Sequence, residues 1–188
     1  MIVHFAASTR NLEEDLVYYR EIIKAIHECG STLALDWIEP LLVRRNKNSA
    51  YMPDWPKIMN ETVEAIKRAD LVIIEATEYS LNQGLQVGVA LRYKKPTLLL
   101  SRRSLQGNMC SGIRSKLYIM MMYKEIRELL DIVKSFIEQN EVPSKDLRFN
   151  FFINRNIYHY LREVSYATGK NKSEIIREVI ERDMESES

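Results

Sequence analysis

Apolar and polar positions alternate in blocks along the first three quarters of the chain. Short apolar runs that predict strands occur at residues 2–7, 32–37, 71–74, 96–101 and 117–122. The run at 71–74 is also β-branched, which is typical of a strand buried on both faces of a parallel sheet. Between these runs, helical spacing of apolar residues is found at 12–29, at 57–68, in a segment ending at residue 91, and at 124–139. This alternation predicts an α/β fold with a parallel five-stranded sheet and helices on both faces.

Residues 38–56 follow neither pattern. They lie between the second predicted strand and the helix at 57–68, and we predict a long loop there. Loops of that length within a compact domain are usually functional or disordered.

The pattern changes after a predicted linker at residues 141–146. Apolar and polar positions alternate over residues 147–153, as in a strand with one buried face. Two helices are predicted next, at residues 157–168 and 173–184. Gly169 should end the first and Ser173 should cap the second. A strand and two helices bury too little surface alone, so we expect this strand-helix-helix module, residues 147–188, to dimerise.

Composition and charge narrow the class of protein. The 188 residues are 46% hydrophobic and 28% charged, which suits one soluble domain with a small appendage. The formal net charge is +1, so no overall field attracts nucleic acid or a membrane surface. Cys29 and Cys110 lack metal-ligand spacing, no apolar run nears the ~20 residues of a membrane helix, and the apolar start is too short for a signal peptide. We expect a cytoplasmic protein with no metal, cofactor or membrane partner.

One stretch combines strand, turn and helix chemistry. Residues 71–74 form a buried strand, residues 77–84 carry turn residues, and Gly84 and Gly88 lie one helical turn apart. Glycines allow a ligand or a neighbouring strand to approach a helix closely. Because ligands of open α/β sheets bind at the carboxyl ends of strands, we expect residues 80–86 to line any small-molecule site.

Three motifs carry a resemblance to a known family. They are Phe-Ala-Ala-Ser-Thr-Arg at residues 5–10, Ala69-Asp70 before an apolar strand, and Ser80-Leu81-x-x-Gly84-x-Gln86-x-Gly88-x-Ala90. On these motifs, residues 1–140 resemble the nucleoside 2-deoxyribosyltransferase superfamily, and most closely its 2'-deoxynucleoside 5'-monophosphate N-hydrolase branch. The resemblance implies a flavodoxin-like sheet with a nucleotide pocket at the strand ends.

The resemblance further implies that a phosphate is held by Ser8, Arg10 and Ser80, beside Gly84. A weaker match is the polar loop around Ser111, which the neighbouring subunit often completes in the family. Hydroxyls, a guanidinium and backbone N–H groups at a helix start suit a phosphate physically. An alternative is that Ser8 and Ser80 are only turn and cap residues.

The chain departs from the family at the positions where the implied pocket would hold its catalytic residues. Gln86 stands where the family has a glutamate that attacks the anomeric carbon of the sugar or stabilises the cation there, and a neutral amide does neither. His4 stands in place of a helper tyrosine, either as a hydrogen-bonded core residue or as a donor to a phosphate oxygen. Thr62 aligns with a common acidic residue. Four residues are candidates to replace the missing catalytic carboxylate, and the alternative is that they are merely solvated charges: Glu78, Glu75, Asp36 and Glu39.

The tail resembles the ribbon-helix-helix DNA-binding fold. The resemblance rests on the alternating strand, the Gly169 turn and Ser173-Glu174-Ile175-Ile176-Arg177-Glu178. It implies a ribbon of two strands from two chains, whose outward side chains enter the major groove. Those side chains are Arg148, Asn150 and Phe152. Arginine and asparagine suit base edges, whereas phenylalanine does not.

The same resemblance implies that Lys172 and Ser173, at the start of the last helix, meet a DNA phosphate. Acidic and basic residues of the tail nearly balance, which weakens the electrostatic case for DNA. A plain dimerisation module is therefore the alternative.

The chain is thus predicted to comprise a nucleotide-binding domain (1–140), a linker (141–146) and a dimerising tail (147–188), assembled as a homodimer or higher even oligomer. Three functions fit. The first is a catalytically impaired protein that binds a nucleotide or nucleoside and whose tail binds DNA. The second is an active N-glycosidase or deoxyribosyltransferase that acts on a nucleoside 5'-monophosphate through a substitute carboxylate. The third is a dimeric scaffold with a relic pocket.

Overall fold

The computed structural model of the chain describes residues 1–47, 52–141 and 151–186. The chain divides into two compact units between residues 142 and 143. None of the helices in these described ranges is long and apolar enough to cross a membrane.

The first unit alternates strands and helices. Its elements are β1 (Ile2–Ala7), α1 (Leu12–Glu28), β2 (Thr32–Leu33), α2 (Ile38–Lys47), α3 (Trp55–Arg68), β3 (Leu71–Glu75), α4 (Leu81–Arg92), β4 (Thr97–Ser101), a 3-10 helix (Met109–Gly112), β5 (Tyr118–Met122) and α5 (Ile126–Asn140). Each predicted strand is present, and their bounds differ from the prediction mainly at β2.

All five strands are parallel, in the order β2-β1-β3-β4-β5. The central register pairs Ile74 of β3 with Ala6 of β1 on one side and with Leu99 of β4 on the other. This is the flavodoxin-like order, in which the chain crosses over between β2 and β3. The predicted parallel five-stranded α/β fold is confirmed.

Two apolar clusters cover the two faces of the sheet. One face packs residues such as Val3 and Phe5 against α1 and α5, and the other packs Val72 and Ile74 against α3 and α4. Every residue of β3 and β4 is buried, as continuous apolar strands in a doubly covered sheet require. The buried central strands therefore hold the loops that follow their carboxyl ends in fixed positions.

The predicted loop at residues 38–56 is wrong over its first half, because α2 occupies Ile38–Lys47. Ile38 is buried, and Leu41 and Leu42 pack against the core beside it. These positions have helical spacing, and Pro40 is tolerated because it lies in the first turn. The predicted strand at 32–37 is correspondingly short, since only Thr32–Leu33 pair with β1.

The second unit contains α6 (Arg155–Thr168) and α7 (Lys172–Ser186). Gly169 ends α6 with a φ of +71°, as predicted from its freedom to adopt the left-handed region. The predicted cap at Ser173 is wrong. Asn171 takes that role, because its Oδ1 accepts from Glu174 N–H at 2.9 Å while Glu174 Oε2 accepts from Asn171 N–H at 2.9 Å. The reciprocal pair is a capping box.

The predicted ribbon strand falls mostly outside the described residues. Arg148 and Asn150 are outside them, as is most of the predicted linker. Residues 151–154 have no strand pairing within the single chain. A ribbon strand obtains its hydrogen bonds from a second chain, so the ribbon stays a prediction.

Candidate functional site

The loops that follow β1, β3 and β4 meet at the carboxyl edge of the sheet. Ser8 directly follows β1, Ser80 is the N-cap of α4, and Arg102 directly follows β4. A small cavity of about 40 Å³ opens there, lined by Ala76, Tyr79, Ser80, Gln83, Gly84, Leu99, Leu105, Asn108 and Cys110. Of the segment predicted to line a site, Ser80, Gln83 and Gly84 reach this cavity.

Gln83 holds the start of α4 in place, and the sequence analysis missed it. Its Oε1 accepts from Ser80 N–H at 2.7 Å, and its Nε2 donates to the backbone oxygen of Glu75 at 2.6 Å. The side chain is buried and both ends of its amide are engaged. The spacing Ser-x-x-Gln is a capping-box signature that would have found it. Ser80 therefore serves as a cap and also faces the cavity.

The two glycines of α4 have open space around them. A Cβ added at Gly84 or Gly88 would meet no atom within 4 Å from the described residues outside its own stretch of α4. The alternative of a neighbouring strand packed against them is therefore wrong. Space for a ligand beside Gly84, at the cavity wall, is compatible with the geometry.

The loop after β1 presents a cation. Ser8 is buried, its Oγ accepts from Arg10 N–H at 3.2 Å, and its backbone oxygen accepts from the Tyr19 hydroxyl at 3.0 Å. The Arg10 side chain is exposed, and none of the described residues forms an ion pair with it. Ser8 thus acts as a turn residue, while the guanidinium of Arg10 is available for an anion.

His4 and Gln86 are brought together across 82 residues of sequence. His4 Nε2 lies 2.9 Å from Gln86 Oε1, which joins the middle of β1 to α4. His4 is buried, and burial lowers the pKa of its imidazole, so the ring is neutral near pH 7. A neutral imidazole with Nε2 protonated donates to the amide oxygen, and its Nδ1 then has no partner among the described residues. The pair is uncharged on both sides.

The four alternative carboxylates differ in accessibility. Glu75 is fully buried, so it cannot touch a ligand. Glu78 is largely buried and forms an ion pair of 2.8 Å with Arg103. Glu39 forms an exposed ion pair with Arg20 at 2.9 Å. Asp36 is exposed. Only Glu78 combines partial exposure with a position in the loop that leads to Ser80.

A buried polar network lies beneath these loops, and the sequence analysis did not identify it as a unit. Glu75 Oε1 accepts from the Tyr123 hydroxyl at 2.9 Å and from the Thr77 hydroxyl. The Arg102 guanidinium pairs with Asp15, which is only 1% exposed. Burial raises the pKa of Glu75, and its Oε2 has no partner among the described residues. A charged residue at the end of an apolar strand is the signal that could have pointed to it.

The loop around Ser111 forms the 3-10 helix beside the cavity. The Ser111 hydroxyl donates to the backbone oxygen of Asn108 at 2.7 Å, so it is engaged locally. Cys110 lines the cavity, and burial raises the pKa of its thiol. Across the described ranges, no group of three or more acidic, histidine or cysteine side chains is arranged to hold a metal ion.

The predicted phosphate contacts of the tail lie at the start of α7. Lys172 and Ser173 line an open groove together with Asn171 and Arg177. Lys172 Nζ lies 4.3 Å from the centre of the Tyr158 ring, in a cation–π contact. Phe152 is fully exposed in the single chain.

The strand order and the polar carboxyl edge define the class of protein: a flavodoxin-like α/β domain with a small cavity at the strand ends. No family model matches the chain. The 5-hydroxymethyl-dUMP N-hydrolase of Esox lucius is 25% identical over 130 residues, which is 66% of this chain and 88% of that protein. The mouse, Mus musculus, protein of the same name is 29% identical over 100 residues, 53% of this chain and 57% of that protein.

The fold has a solved counterpart in the CMP N-glycosidase of Clostridium botulinum. That structure matches with a TM-score of 0.52 and 17% identity, over 72% of this chain and 99% of that chain. The first unit is similar in sequence to these nucleotide N-hydrolases, which supports its resemblance to the nucleoside 2-deoxyribosyltransferase superfamily. The family resemblance predicted for residues 1–140 is confirmed, while the ribbon-helix-helix resemblance of the tail stays a prediction.

Proposed function

We propose that the first unit binds a nucleoside 5'-monophosphate, or a closely similar nucleotide, at the carboxyl edge of its sheet and does not cleave it at an enzyme's rate. The observation that carries this proposal is the neutral His4–Gln86 pair at the position where the family resemblance implies a catalytic carboxylate. The named relatives act on 5-hydroxymethyl-dUMP, which is itself a nucleoside monophosphate.

Three features support a phosphate at one end of the site. The exposed guanidinium of Arg10 supplies a positive charge. The N-terminus of α4, a helix of 12 residues capped by Ser80, supplies backbone N–H groups and the positive end of the helix dipole. The open space at Gly84 lets an anion approach those groups. Together they favour a ligand that carries a phosphate over its parent nucleoside.

The other end of the site supports binding without cleavage. N-glycosidic cleavage passes through a cation-like sugar, which an anionic carboxylate stabilises or attacks. The half-buried amide of Gln86 has the shape of that carboxylate without its charge. Its oxygen is already hydrogen-bonded to neutral His4 at 2.9 Å. This end of the proposed site therefore keeps polar groups but lacks the nucleophile.

Arg10→Ala is expected to weaken binding of a deoxynucleoside monophosphate by roughly ten- to a hundredfold, because a charge-assisted contact contributes about 1.5–3 kcal/mol. Binding of the matching nucleoside should change less than twofold, since it has no phosphate to lose. Isothermal titration calorimetry with both ligands measures the difference. Arg92→Ala is the matched control, because Arg92 is an exposed arginine at the opposite end of α4.

Equal losses for both ligands in Arg10→Ala would show that Arg10 does not contact the phosphate. No binding of any monophosphate by the unmodified protein would reject the proposed function itself.

An enzymatic function is the second candidate, and the position of Glu78 favours it. Glu78 lies two residues before the cap of α4, next to the cavity-lining Tyr79, and its carboxylate forms an ion pair of 2.8 Å with Arg103. Release of free base by the unmodified protein, abolished by Glu78→Gln but retained in Arg103→Ala, would support this function over binding alone.

For the tail, we propose a dimerisation module that also binds DNA. Apolar side chains on its two helices are about half exposed in the single chain, including Ile157, Val179 and Ile180. Such a face needs a partner, and a ribbon between two copies would supply it. Lys172 and Ser173 at the start of α7 provide groups suited to a DNA phosphate.

Light scattering of the full chain is expected to show a dimer or a multiple of it, because one chain cannot cover these apolar residues. Deletion from residue 147 onward should lower the oligomeric state.

DNA binding by the tail would be supported if the protein retains duplex DNA at low salt. Arg148→Ala or Asn150→Ala should then reduce the sequence preference, and Lys172→Ala should reduce the overall affinity. A stable full-length monomer would reject the dimer, and no retention of DNA would leave dimerisation alone.

A further inference from the structure

A continuous chain of hydrogen bonds, made by side chains and backbone groups, connects the two loops assigned to the phosphate. At the first loop, the Tyr19 hydroxyl donates to the backbone oxygen of Ser8 at 3.0 Å and lies 3.5 Å from Asp15 Oδ2. The other oxygen of Asp15 accepts from the Arg102 guanidinium. The β1–α1 loop is thereby tied to the end of β4.

Thr77 is the centre of this chain. Its Oγ1 accepts from Arg102 N–H at 2.9 Å and from Arg102 Nε at 3.4 Å, and it donates to Glu75 Oε1. A hydroxyl has one hydrogen and two lone pairs, so every hydrogen-bonding position of Thr77 is used. Thr77 is buried, at 3% exposure, and therefore contacts neither solvent nor a ligand.

The chain continues to the second loop through the backbone of Glu75. That carbonyl accepts from Gln83 Nε2 at 2.6 Å, and Gln83 Oε1 accepts from Ser80 N–H at 2.7 Å. Thr77 N–H also donates to Glu75 Oε1 at 3.3 Å, which closes the turn after β3. The loop that carries Ser80 is thus connected to the loop that carries Ser8.

We propose that Thr77 is a positioning residue for phosphate recognition, whose hydroxyl keeps the Ser8–Arg10 loop and the start of α4 at one fixed separation. The inference rests on the proposed function, since it concerns the phosphate end of the same site. Two groups of donors from separate loops bind one phosphate well only if their separation is set before the ligand arrives. Hydrogen bonds in a buried network resist rearrangement because a broken one leaves an unpaired polar atom.

Thr77→Val tests the proposal, because valine keeps the shape of the side chain and removes the hydroxyl. We expect Thr77→Val to weaken a deoxynucleoside monophosphate about tenfold, the equivalent of one lost hydrogen bond, and to change nucleoside binding less than twofold. Thr77→Ser is the matched control: it keeps the hydroxyl and should stay within twofold of the unmodified protein for both ligands. The melting temperature without ligand is measured for each variant.

Tyr19→Phe provides a second route, since it removes only the hydroxyl that reaches Ser8 and keeps the ring in the core. If Thr77→Val does not fold, Tyr19→Phe takes its place as the test. It should show the same selective loss of affinity for the monophosphate. A merely structural role would lower the melting temperature without changing the ratio of the two affinities. An unchanged ratio in a folded variant, while the unmodified protein binds the monophosphate, would overturn this inference and leave the proposed function standing. Failure of the unmodified protein to bind would overturn both.

Discussion

The unmodified protein is expected to release no free base from a deoxynucleoside monophosphate at a rate typical of enzymes, about one per second or faster, whereas Gln86→Glu is expected to release it measurably. The change restores an anion in place of an amide of nearly the same shape. A carboxylate at this position would stabilise or attack the developing cation of the sugar. Chromatography of the free base over time measures both proteins.

We expect the rescue to be partial, for two structural reasons. The new carboxylate would lie within hydrogen-bonding distance of His4, the partner that Gln86 already has. A hydrogen bond from His4 would spread the charge and hold the carboxylate in one orientation. Thr62, half-buried on α3, would supply no second carboxyl group to assist it.

Asn82→Asp is the matched control for Gln86→Glu, because it adds the same charge to an exposed position in the first turn of α4. It should release no base. Rapid release by the unmodified protein would contradict the binding proposal and direct attention to Glu78. If Gln86→Glu still binds the monophosphate but releases no base, the assignment of Gln86 to the position of the family's catalytic glutamate would be contradicted.

Arg102→Ala is expected to lower the free energy of unfolding by about 3–5 kcal/mol, because it leaves the carboxylate of Asp15 buried without its cation. Asp15 is 1% exposed and pairs directly with the Arg102 guanidinium. The same change removes the contact of the guanidinium with the Tyr18 ring, 4.2 Å from the ring centre. Urea denaturation followed by circular dichroism measures the loss.

Arg20→Ala is the control for Arg102→Ala, because it breaks an ion pair with Glu39 in which both side chains are more than half exposed. Exposed pairs contribute only about 0–1 kcal/mol. The double variant Asp15→Leu with Arg102→Met should recover much of the loss, since an apolar pair leaves no buried charge. Similar losses in Arg20→Ala and Arg102→Ala, or no recovery in the double variant, would contradict a buried ion pair as the cause.

The order of strands and helices in the first unit was largely determined by the sequence. The runs of β1, β3 and β4 are almost continuously apolar because both of their faces are buried, and burial of that kind leaves a clear pattern. The second strand and α2 were less clear. Only two residues of β2 pair, and α2 buries a narrow stripe at Ile38 beside Leu41 and Leu42, so neither produces a strong period.

The residues of the proposed site were available from sequence where they share one motif. Ser80, Gly84 and Gln86 lie close together in the sequence, on one turn and the helix that follows it, so their spacing can be read directly. The resemblance based on that motif also indicated His4, although nothing in the sequence alone measures its distance to Gln86. The distance of 2.9 Å between His4 Nε2 and Gln86 Oε1 follows from the packing of α4 on β1.

The buried network was decided only by the tertiary structure. Asp15, Thr77 and Arg102 come from a helix and two separate strand ends, up to 87 residues apart, and each alone resembles an ordinary polar residue of a turn or surface. Parallel strands bring their carboxyl ends to one edge of the sheet, and burial there removes water as an alternative partner. The polar groups must then satisfy one another, and that requirement connects the Ser8 loop to the start of α4.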